Sequence, residues 1–167
     1  MSAHEIDEFV SLWEHESGVT SQLLKSVPAD QFSFRPDPQG KSIGELAWHL
    51  AELEGIMSNL AVQRSSAAAK MAGLEQPATM AEVVSGYERV HRESVARVRS
   101  LRAEDLDREF DFFGRPITVR RVLRFPLLHH LIHHRGQLMM MIRMAHAVPS
   151  RVYGPLREES PPVQAKT

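Results

Sequence analysis

The sequence predicts an all-α protein, a four-helix bundle formed by one domain. Four long segments carry apolar residues at three- and four-residue steps, which is the period of a helix with one buried face. Two of these segments open with capping boxes, and the breaks between segments are rich in proline, glycine and small polar residues. We expect residues 1–157 to form the single domain and residues 158–167 to be a disordered tail.

The first half of the chain contains two of the predicted helices. The first spans roughly residues 4–26 and is ended by Pro28. The second opens at Ser42, where Glu45 three residues later completes a capping box. Its apolar residues follow 3-4-3-4-3 steps, the seam of a packed bundle helix, and are Ile43, Leu46, Leu50, Leu53, Met57 and Leu60.

The second half of the chain is predicted to be less regular. Residues 64–78 are small and polar, which indicates a frayed helix end and a long crossover loop. Thr79 begins the third helix with a second capping box. Residues 106–117 resemble extended backbone, which we interpret as a short excursion from the bundle and not as a true sheet. The fourth helix is expected over residues 118–146, with a bend near Pro126, because the proline ring removes a backbone donor.

Composition and charge exclude several classes of function. The 167 residues have a net charge of −1 and an isoelectric point near 6.8, so we expect no nucleic-acid partner. The absence of cysteine excludes disulfides, thiolate metal sites and a cysteine nucleophile within this chain, and it suits a reducing compartment. The first residues lack a secretion signal, and no apolar run reaches the ~18 residues of a membrane span. A cytoplasmic protein without a membrane partner is therefore expected.

A run of histidines in the fourth helix carries the main chemical signal. Residues 129–137 contain four of the nine histidines, and residues four apart share one face of a helix. Two pairs are therefore candidates, His129 with His133 and His130 with His134. Both pairs face mainly inward on a helical wheel, so periodicity does not choose between them.

A divalent metal is the partner that this pattern favours. Burying several imidazoles without partners costs on the order of 1–3 kcal/mol each, which makes a set of unrelated core histidines the weaker interpretation. Two imidazoles do not complete the shell of an ion, so a third ligand must come from another helix. His49 is the best candidate, because it lies beside the apolar seam of the second helix. His91 lies on an inward face of the third helix and is interpreted as structural, with an approach to the metal site as the alternative.

Acidic residues near His49 are candidate catalytic groups. Glu45 lies one turn before His49 and is the weak candidate that we single out for acid–base chemistry. Glu52 and Glu54 are close by in the same helix and are possible helpers.

Several stretches together resemble the DinB/YfiT-like superfamily of small metal-binding four-helix bundles. The resemblance spans nearly the whole chain, although residues 64–117 carry no specific motif. Its motifs are Phe34-Arg35-Pro36 through Gly40-Lys41-Ser42, Ser42-Ile43-Gly44-Glu45-Leu46-Ala47-Trp48-His49-Leu50-Ala51, His130-x-x-x-His134-Arg135-Gly136-Gln137, and Val148-Pro149 to Tyr153-Gly154-Pro155. The resemblance implies that His49, His130 and His134 bind one divalent cation such as zinc or nickel. It assigns His129 and His133 to packing or to an interface.

Two functions follow from the resemblance. One is a metal-dependent enzyme acting on a small molecule, either a hydrolase or a transferase or isomerase that uses a low-molecular-weight thiol. Three protein nitrogens with an open position are typical of catalytic zinc. The other is a non-catalytic, stress-associated metal-binding protein. In addition, the consecutive apolar residues 138–142 exceed what one buried stripe requires, which predicts a homodimer.

Overall fold

The structure, a computed structural model, describes residues 4–69 and 74–159 and confirms the all-α class. Four helices pack around one continuous apolar core. They are α1 (His4–Lys25), α2 (Ile43–Gln63), α3 (Met80–Arg99) and a fourth helix composed of α4 (Val119–Val122), a π-helical segment (Leu123–His129) and α5 (His130–Met144). In the described part of the chain, no helix combines the length and the apolar character that crossing a lipid bilayer requires.

The starts of α2 and α3 confirm the predicted capping boxes. At α2, the Ser42 hydroxyl accepts from the backbone N–H of Glu45 at 3.2 Å, and the Glu45 carboxylate accepts from the Ser42 N–H at 2.7 Å. Thr79 and Glu82 form the same reciprocal pair at α3. Each box satisfies backbone donors that the first turn of a helix leaves free, so both helices begin where the sequence predicts.

The segment between α2 and α3 matches the predicted frayed end where it is described. Arg64 ends α2 in a left-handed conformation, with φ of 52°, and its N–H donates to the Leu60 carbonyl at 2.8 Å. A short 3₁₀ helix, Ser66–Ala69, follows. The remainder of the predicted crossover includes residues 70–73, which lie outside the described residues.

The excursion before the fourth helix is a β-hairpin, so our interpretation that it is not a true sheet was wrong. Strands β1 (Glu109–Phe112) and β2 (Arg115–Thr118) pair antiparallel, with Phe112 opposite Arg115. The connection has two residues, Phe113 and Gly114, and both have positive φ, 52° and 86°. Such turns match the right-handed twist of the flanking strands, and this match stabilises the pairing.

The fourth helix accommodates Pro126 by a change of helix type. Pro126 lies within the π-helical segment, where backbone bonds reach five residues back instead of four. The backbone N–H of His130 accordingly donates to the carbonyls of Phe125 and Leu127, and not to that of Pro126. The Pro126 carbonyl is thereby released from the bond that a regular α-helix would form with residue 130.

A buried ion pair joins the fourth helix to α1 and to the C-terminal segment. The guanidinium of Arg135 is 1% exposed and donates to the Glu16 carboxylate at 2.5 Å and to the Glu16 carbonyl at 3.0 Å. The hydroxyl of Tyr153 donates to the same carboxylate at 2.6 Å. Arg135 is buried although it is charged, because a second helix supplies its counter-ion.

The C-terminal segment differs from the expected tail at two positions. Glu158 and Glu159 belong to a short 3₁₀ helix, Arg157–Glu159. Glu158 binds Arg143 of α5 at 2.9 Å, and Glu159 binds Arg151. Residues 160–167, the rest of the predicted tail, lie outside the described residues.

We predict opposite effects of alanine at two helical glycines. A Cβ at Gly86 of α3 would lie 2.8 Å from the ring of Trp48, so Gly86→Ala should lower the free energy of unfolding by about 1–3 kcal/mol through overpacking. The matched control is Gly18→Ala in α1, where a Cβ meets nothing within 4 Å. This change should raise the free energy of unfolding by about 0.5–1 kcal/mol. Urea denaturation followed by circular dichroism measures both. Equal stabilisation by the two changes would contradict the packing of Trp48 on Gly86.

Candidate metal centre

Three histidines from two helices meet at one place in the bundle. His49 comes from α2, while His130 and His134 lie one turn apart on α5. Each offers a ring nitrogen, and the three nitrogens all lie within 4.8 Å of one another. The Nε2 atoms of His130 and His134 are 2.7 Å apart, and the His49 ring centroid is 4.8 Å from that of His134. All three side chains are half-buried, so the cluster has access to solvent.

A separate contact orients each of the three rings. His49 Nδ1 lies 3.3 Å from the Glu52 carboxylate, and His134 Nδ1 lies 2.7 Å from the Gln137 side-chain oxygen. The His130 ring forms a hydrogen bond to the backbone of Pro126. Since the amide oxygen of Gln137 only accepts, His134 carries its proton on Nδ1 and directs the lone pair of Nε2 into the cluster. Contacts of this kind set the tautomer and orientation of metal-binding histidines.

The π-helical segment explains the contact that holds His130. In a regular α-helix the carbonyl four residues before His130 would accept from its backbone N–H. Here that N–H donates to other carbonyls, and the carbonyl of Pro126 is available to the imidazole. Short π segments occur frequently at functional sites, and this one supplies an acceptor for a site residue.

The electrostatics of the cluster keep two of its rings neutral. Burial lowers the pKa of His130, and the nearby His49 and His133 lower it further. Burial also lowers the pKa of His134, while the hydrogen bond that its ring donates to the Gln137 oxygen raises it. A metal ion binds imidazole only in its neutral form, so the lowered pKa values reduce the competition from protons at neutral pH. The donor set, three imidazole nitrogens, fits a borderline-soft divalent ion such as zinc or nickel.

The three candidate carboxylates near His49 have different environments. Both oxygens of Glu45 are engaged, one by Arg35 at 2.9 Å and the other by the Ser42 N–H, and the Arg35 guanidinium lowers its pKa. These contacts give Glu45 a clear role as a helix cap. Glu54 is fully buried and belongs to a different cluster. Of the three, Glu52 is the residue whose carboxylate contacts a histidine of the site.

The cluster around Glu54 explains His91. The Tyr87 hydroxyl donates to the Glu54 carboxylate at 2.7 Å, and His91 Nδ1 lies 2.6 Å from its other oxygen. The edge of the His91 ring packs against Trp13 of α1. Burial raises the pKa of Tyr87 well above its usual range, so its hydroxyl remains a donor. The structure therefore places His91 in this cluster, where it joins α1, α2 and α3, and not in the three-histidine group.

The remaining histidines of the run lie outside the three-residue group. His133 is exposed, with its ring centroid 5.1 Å from that of His134. His129 is exposed and packs edge-on against Phe125 at 4.9 Å. The contacts of Pro126 and Gln137 with the rings were not predicted from the sequence. Their spacing was a usable signal, since Pro126 lies four residues before His130 and Gln137 three residues after His134.

Comparisons with known proteins agree with this architecture. The protein YrdA of Bacillus subtilis (strain 168), itself uncharacterized, is 28% identical over 158 residues, which cover 92% of this chain and 91% of YrdA. YjoA of the same organism is 28% identical over 140 residues, 82% of this chain and 88% of YjoA.

Two solved structures have the same fold. The crystal structure of YjoA, a DinB-like protein, superposes with a TM-score of 0.71 at 24% identity, covering 89% of this chain and 96% of that one. The crystal structure of a DinB-like protein from Bacillus cereus ATCC 10987 superposes with a TM-score of 0.72 at 24% identity, covering 88% of this chain and 97% of that one. The family model of the DinB superfamily matches residues 12–138 of this chain, a span that contains all three site histidines. With the family model, the relatives and the bundle in agreement, the chain belongs to the DinB superfamily.

Proposed function

We propose that His49, His130 and His134 bind one divalent cation, zinc or nickel, and that the protein is a metal-dependent enzyme acting on a small molecule. The observation that carries this proposal is the convergence of three imidazole nitrogens within 4.8 Å, each on a ring that a separate contact orients. Sites with three protein ligands typically retain an open position for water or substrate, whereas structural zinc sites are closed by four.

A divalent ion in this cluster would supply Lewis-acid chemistry at its open position, by acidifying water or by binding a thiolate. Glu52, whose carboxylate contacts His49, is the residue of this chain that we propose for proton transfer. Its side chain is 36% exposed, so the carboxylate can orient His49 and also accept a proton from a bound molecule. Because the chain has no cysteine, a reaction that needs sulfur requires a low-molecular-weight thiol as cosubstrate. We therefore propose a hydrolase or a thiol-dependent transferase or isomerase.

A second candidate is a non-catalytic, stress-associated metal-binding protein. The contacts of the carboxylates favour it. Glu45 is engaged by Arg35 and Ser42, and Glu54 is engaged by Tyr87 and His91. An acid–base role near the cluster therefore depends on Glu52 alone among these three residues.

We also propose that the protein acts as a homodimer. Large apolar side chains on α1 and on the fourth helix are about half exposed, namely Leu12, Phe125, Met140 and Met144. Exposed large apolar side chains that form a patch commonly mark a site of association.

The metal ligands can be tested one by one. His49→Ala, His130→Ala and His134→Ala should each weaken binding of zinc by at least roughly 100-fold, because each removes a nitrogen of the only proposed set. His129→Ala and His133→Ala are matched controls from the same helix and should retain about one ion per chain. Elemental analysis of untagged protein after dialysis gives the occupancy. Loss of metal in the control variants and not in the others would show that the wrong pair was assigned.

Gln137 offers a finer test of the site. Gln137→Ala removes the acceptor that orients His134, so the affinity for zinc should fall about 10- to 100-fold with the fold intact. Gln22→Ala, an exposed glutamine of α1, is the control and should bind zinc as the unaltered protein does. Competition titration with a chromophoric chelator measures both. Unchanged affinity in Gln137→Ala would mean that the amide does not support the ligand.

Catalysis is tested separately from binding. With cobalt in the site, adding 2-mercaptoethanol should produce a sulfur-to-metal charge-transfer band near the ultraviolet, which His134→Ala should abolish. A panel of esters and amides should show turnover that a chelator removes, and Glu52→Gln should lower that turnover about 100-fold at unchanged metal content. A protein that binds metal but shows neither the thiol band nor chelator-sensitive turnover would be the non-catalytic alternative.

A further inference from the structure

We infer that Tyr153 is a positioning residue for the metal centre and that it acts on His134 through Arg135. This inference rests on the proposed metal site and adds to it a residue of the C-terminal segment, residues 150–156. The hydroxyl of Tyr153 accepts from the Arg135 guanidinium and donates to the Glu16 carboxylate at 2.6 Å. Arg135 directly follows His134 in the chain, so the contacts of Tyr153 reach the neighbour of a proposed ligand.

The apolar contacts of α5 do not determine its rotation finely. Residues 138–142 are all apolar, and three of these five are methionines. Hydrophobic burial has no directional preference, and methionine side chains adapt to small shifts of their neighbours. The core therefore permits α5 to turn about its axis by a few degrees with little loss of buried area.

The metal centre requires a more exact rotation than the core does. His130 and His134 both lie on α5 and move together relative to His49 on α2. An imidazole nitrogen lies roughly 7 Å from the axis of its helix, so a turn of about 5° moves it by about 0.6 Å. The groups of a functional site must be held within about 0.5 Å of their productive positions. A contact that fixes the rotation of α5 therefore controls the fit of the ion.

Directional hydrogen bonds at Arg135 provide such a contact. Its guanidinium donates to the Glu16 carboxylate at 2.5 Å, to the Glu16 carbonyl at 3.0 Å and to the Thr20 hydroxyl at 3.4 Å. The donors of a guanidinium have a fixed, planar arrangement, so each of these bonds restricts the direction of the side chain. Because Arg135 is 1% exposed, water does not readily replace these acceptors.

Tyr153 completes this set of bonds from the outer side of the bundle. The residue is 63% exposed, and its ring lies over the guanidinium with 4.9 Å between the ring centroid and Cζ of Arg135. Burial of the hydroxyl and its hydrogen bond to Glu16 raise the pKa of Tyr153, so the group remains a donor at neutral pH. Without this hydroxyl the carboxylate loses a donor and the guanidinium loses an acceptor. We expect both groups to shift, and α5 to turn with them.

The C-terminal segment is docked by contacts on both sides of Tyr153. The backbone N–H of Ser150 donates to the Ser26 hydroxyl at 3.0 Å, and Leu156 is 8% exposed. A docked segment favours one rotation of α5, and a metal ion favours that same rotation. Coupling between two sites is reciprocal, so the ion should in turn stabilise the docked segment.

The two tyrosines of the chain provide a matched pair of variants. Tyr153→Phe removes the hydroxyl that binds Glu16 and Arg135, and Tyr87→Phe removes the hydroxyl that donates to the buried Glu54 carboxylate. In competition titrations with a chromophoric chelator, Tyr153→Phe should bind zinc about 10-fold more weakly than the unaltered protein, and Tyr87→Phe should bind it equally well. At saturating cobalt, the ligand-field bands should change in Tyr153→Phe alone. A loss of stability without a shift of the ligands would not produce that change.

The possible results separate this inference from the proposed function. Zinc affinity and cobalt bands that are unchanged in Tyr153→Phe would overturn the inference and leave the metal site in place. An equal loss of affinity in both variants would also overturn it, because the effect would not be specific to Arg135. An unaltered protein that binds no zinc would overturn the proposed metal site, and the inference with it.

A second experiment tests the reciprocal effect. The backbone N–H of Ser150 reports on the docked segment, because it donates to the Ser26 hydroxyl. In hydrogen exchange followed by NMR, zinc should slow the exchange of this N–H by up to about 10-fold, the same factor as the loss of zinc affinity in Tyr153→Phe. Zinc should have no such effect in Tyr153→Phe or in His134→Ala. Exchange that zinc leaves unchanged in the unaltered protein would contradict the coupling.

Discussion

The buried charge of Arg135 is the constraint on which the arrangement of the fourth helix depends. A guanidinium that is 1% exposed is strongly destabilising unless an acid and further acceptors surround it. Glu16 of α1 supplies both its carboxylate and its backbone carbonyl, and Tyr153 of the C-terminal segment binds the same carboxylate. These contacts fix the rotation of α5 about its own axis. His134 is the preceding residue, turned about 100° away, and is therefore directed toward α2.

On α2, as on α5, a buried side chain sets the direction of the neighbouring histidine. Trp48 is buried against Gly86 of α3, where a methyl group would already be too close. His49 is the next residue, so the packing of Trp48 sets the direction in which the imidazole points. His130 is likewise followed by Leu131, which is fully buried. Each histidine of the cluster is thus adjacent to a side chain that is held in the core, and these neighbours position the rings together with the direct contacts of Glu52, Gln137 and Pro126.

The parts of this fold that could be predicted from the sequence are those specified by local contacts. The capping boxes at Ser42 and Thr79 involve residues three apart, and their chemistry is visible in the sequence. The hairpin was missed because its turn, Phe113-Gly114, lacks the Asn-Gly or Asp-Gly pair that signals such turns most strongly. The burial of Arg135 depends on an acid that lies 119 residues away, and no local pattern reveals that pairing.

The candidate site shows the same limit. Four histidines in six positions indicated a metal, but both pairs face inward on a helical wheel, and periodicity describes one helix at a time. The choice of His130 and His134 came from the resemblance to a family. In the structure this choice depends on how α5 packs against α2 and on the π-helical segment at Pro126, and both are properties of the assembled fold. The contacts of Gln137 and Pro126 with the rings depend on that same packing.

The contribution of the histidine cluster to stability indicates that these residues serve a function and not the folding of the bundle. The core is continuous without it, and the Glu16–Arg135 pair joins the helices on the far side. Burial lowers the pKa of His130 and His134, so below pH ~6.5 the unfolded chain binds more protons than the folded one and stability falls as the pH falls. The burial of these two imidazoles therefore costs stability in acid. Residues that do not favour stability are expected at functional sites. We therefore explain the histidine cluster by what it binds.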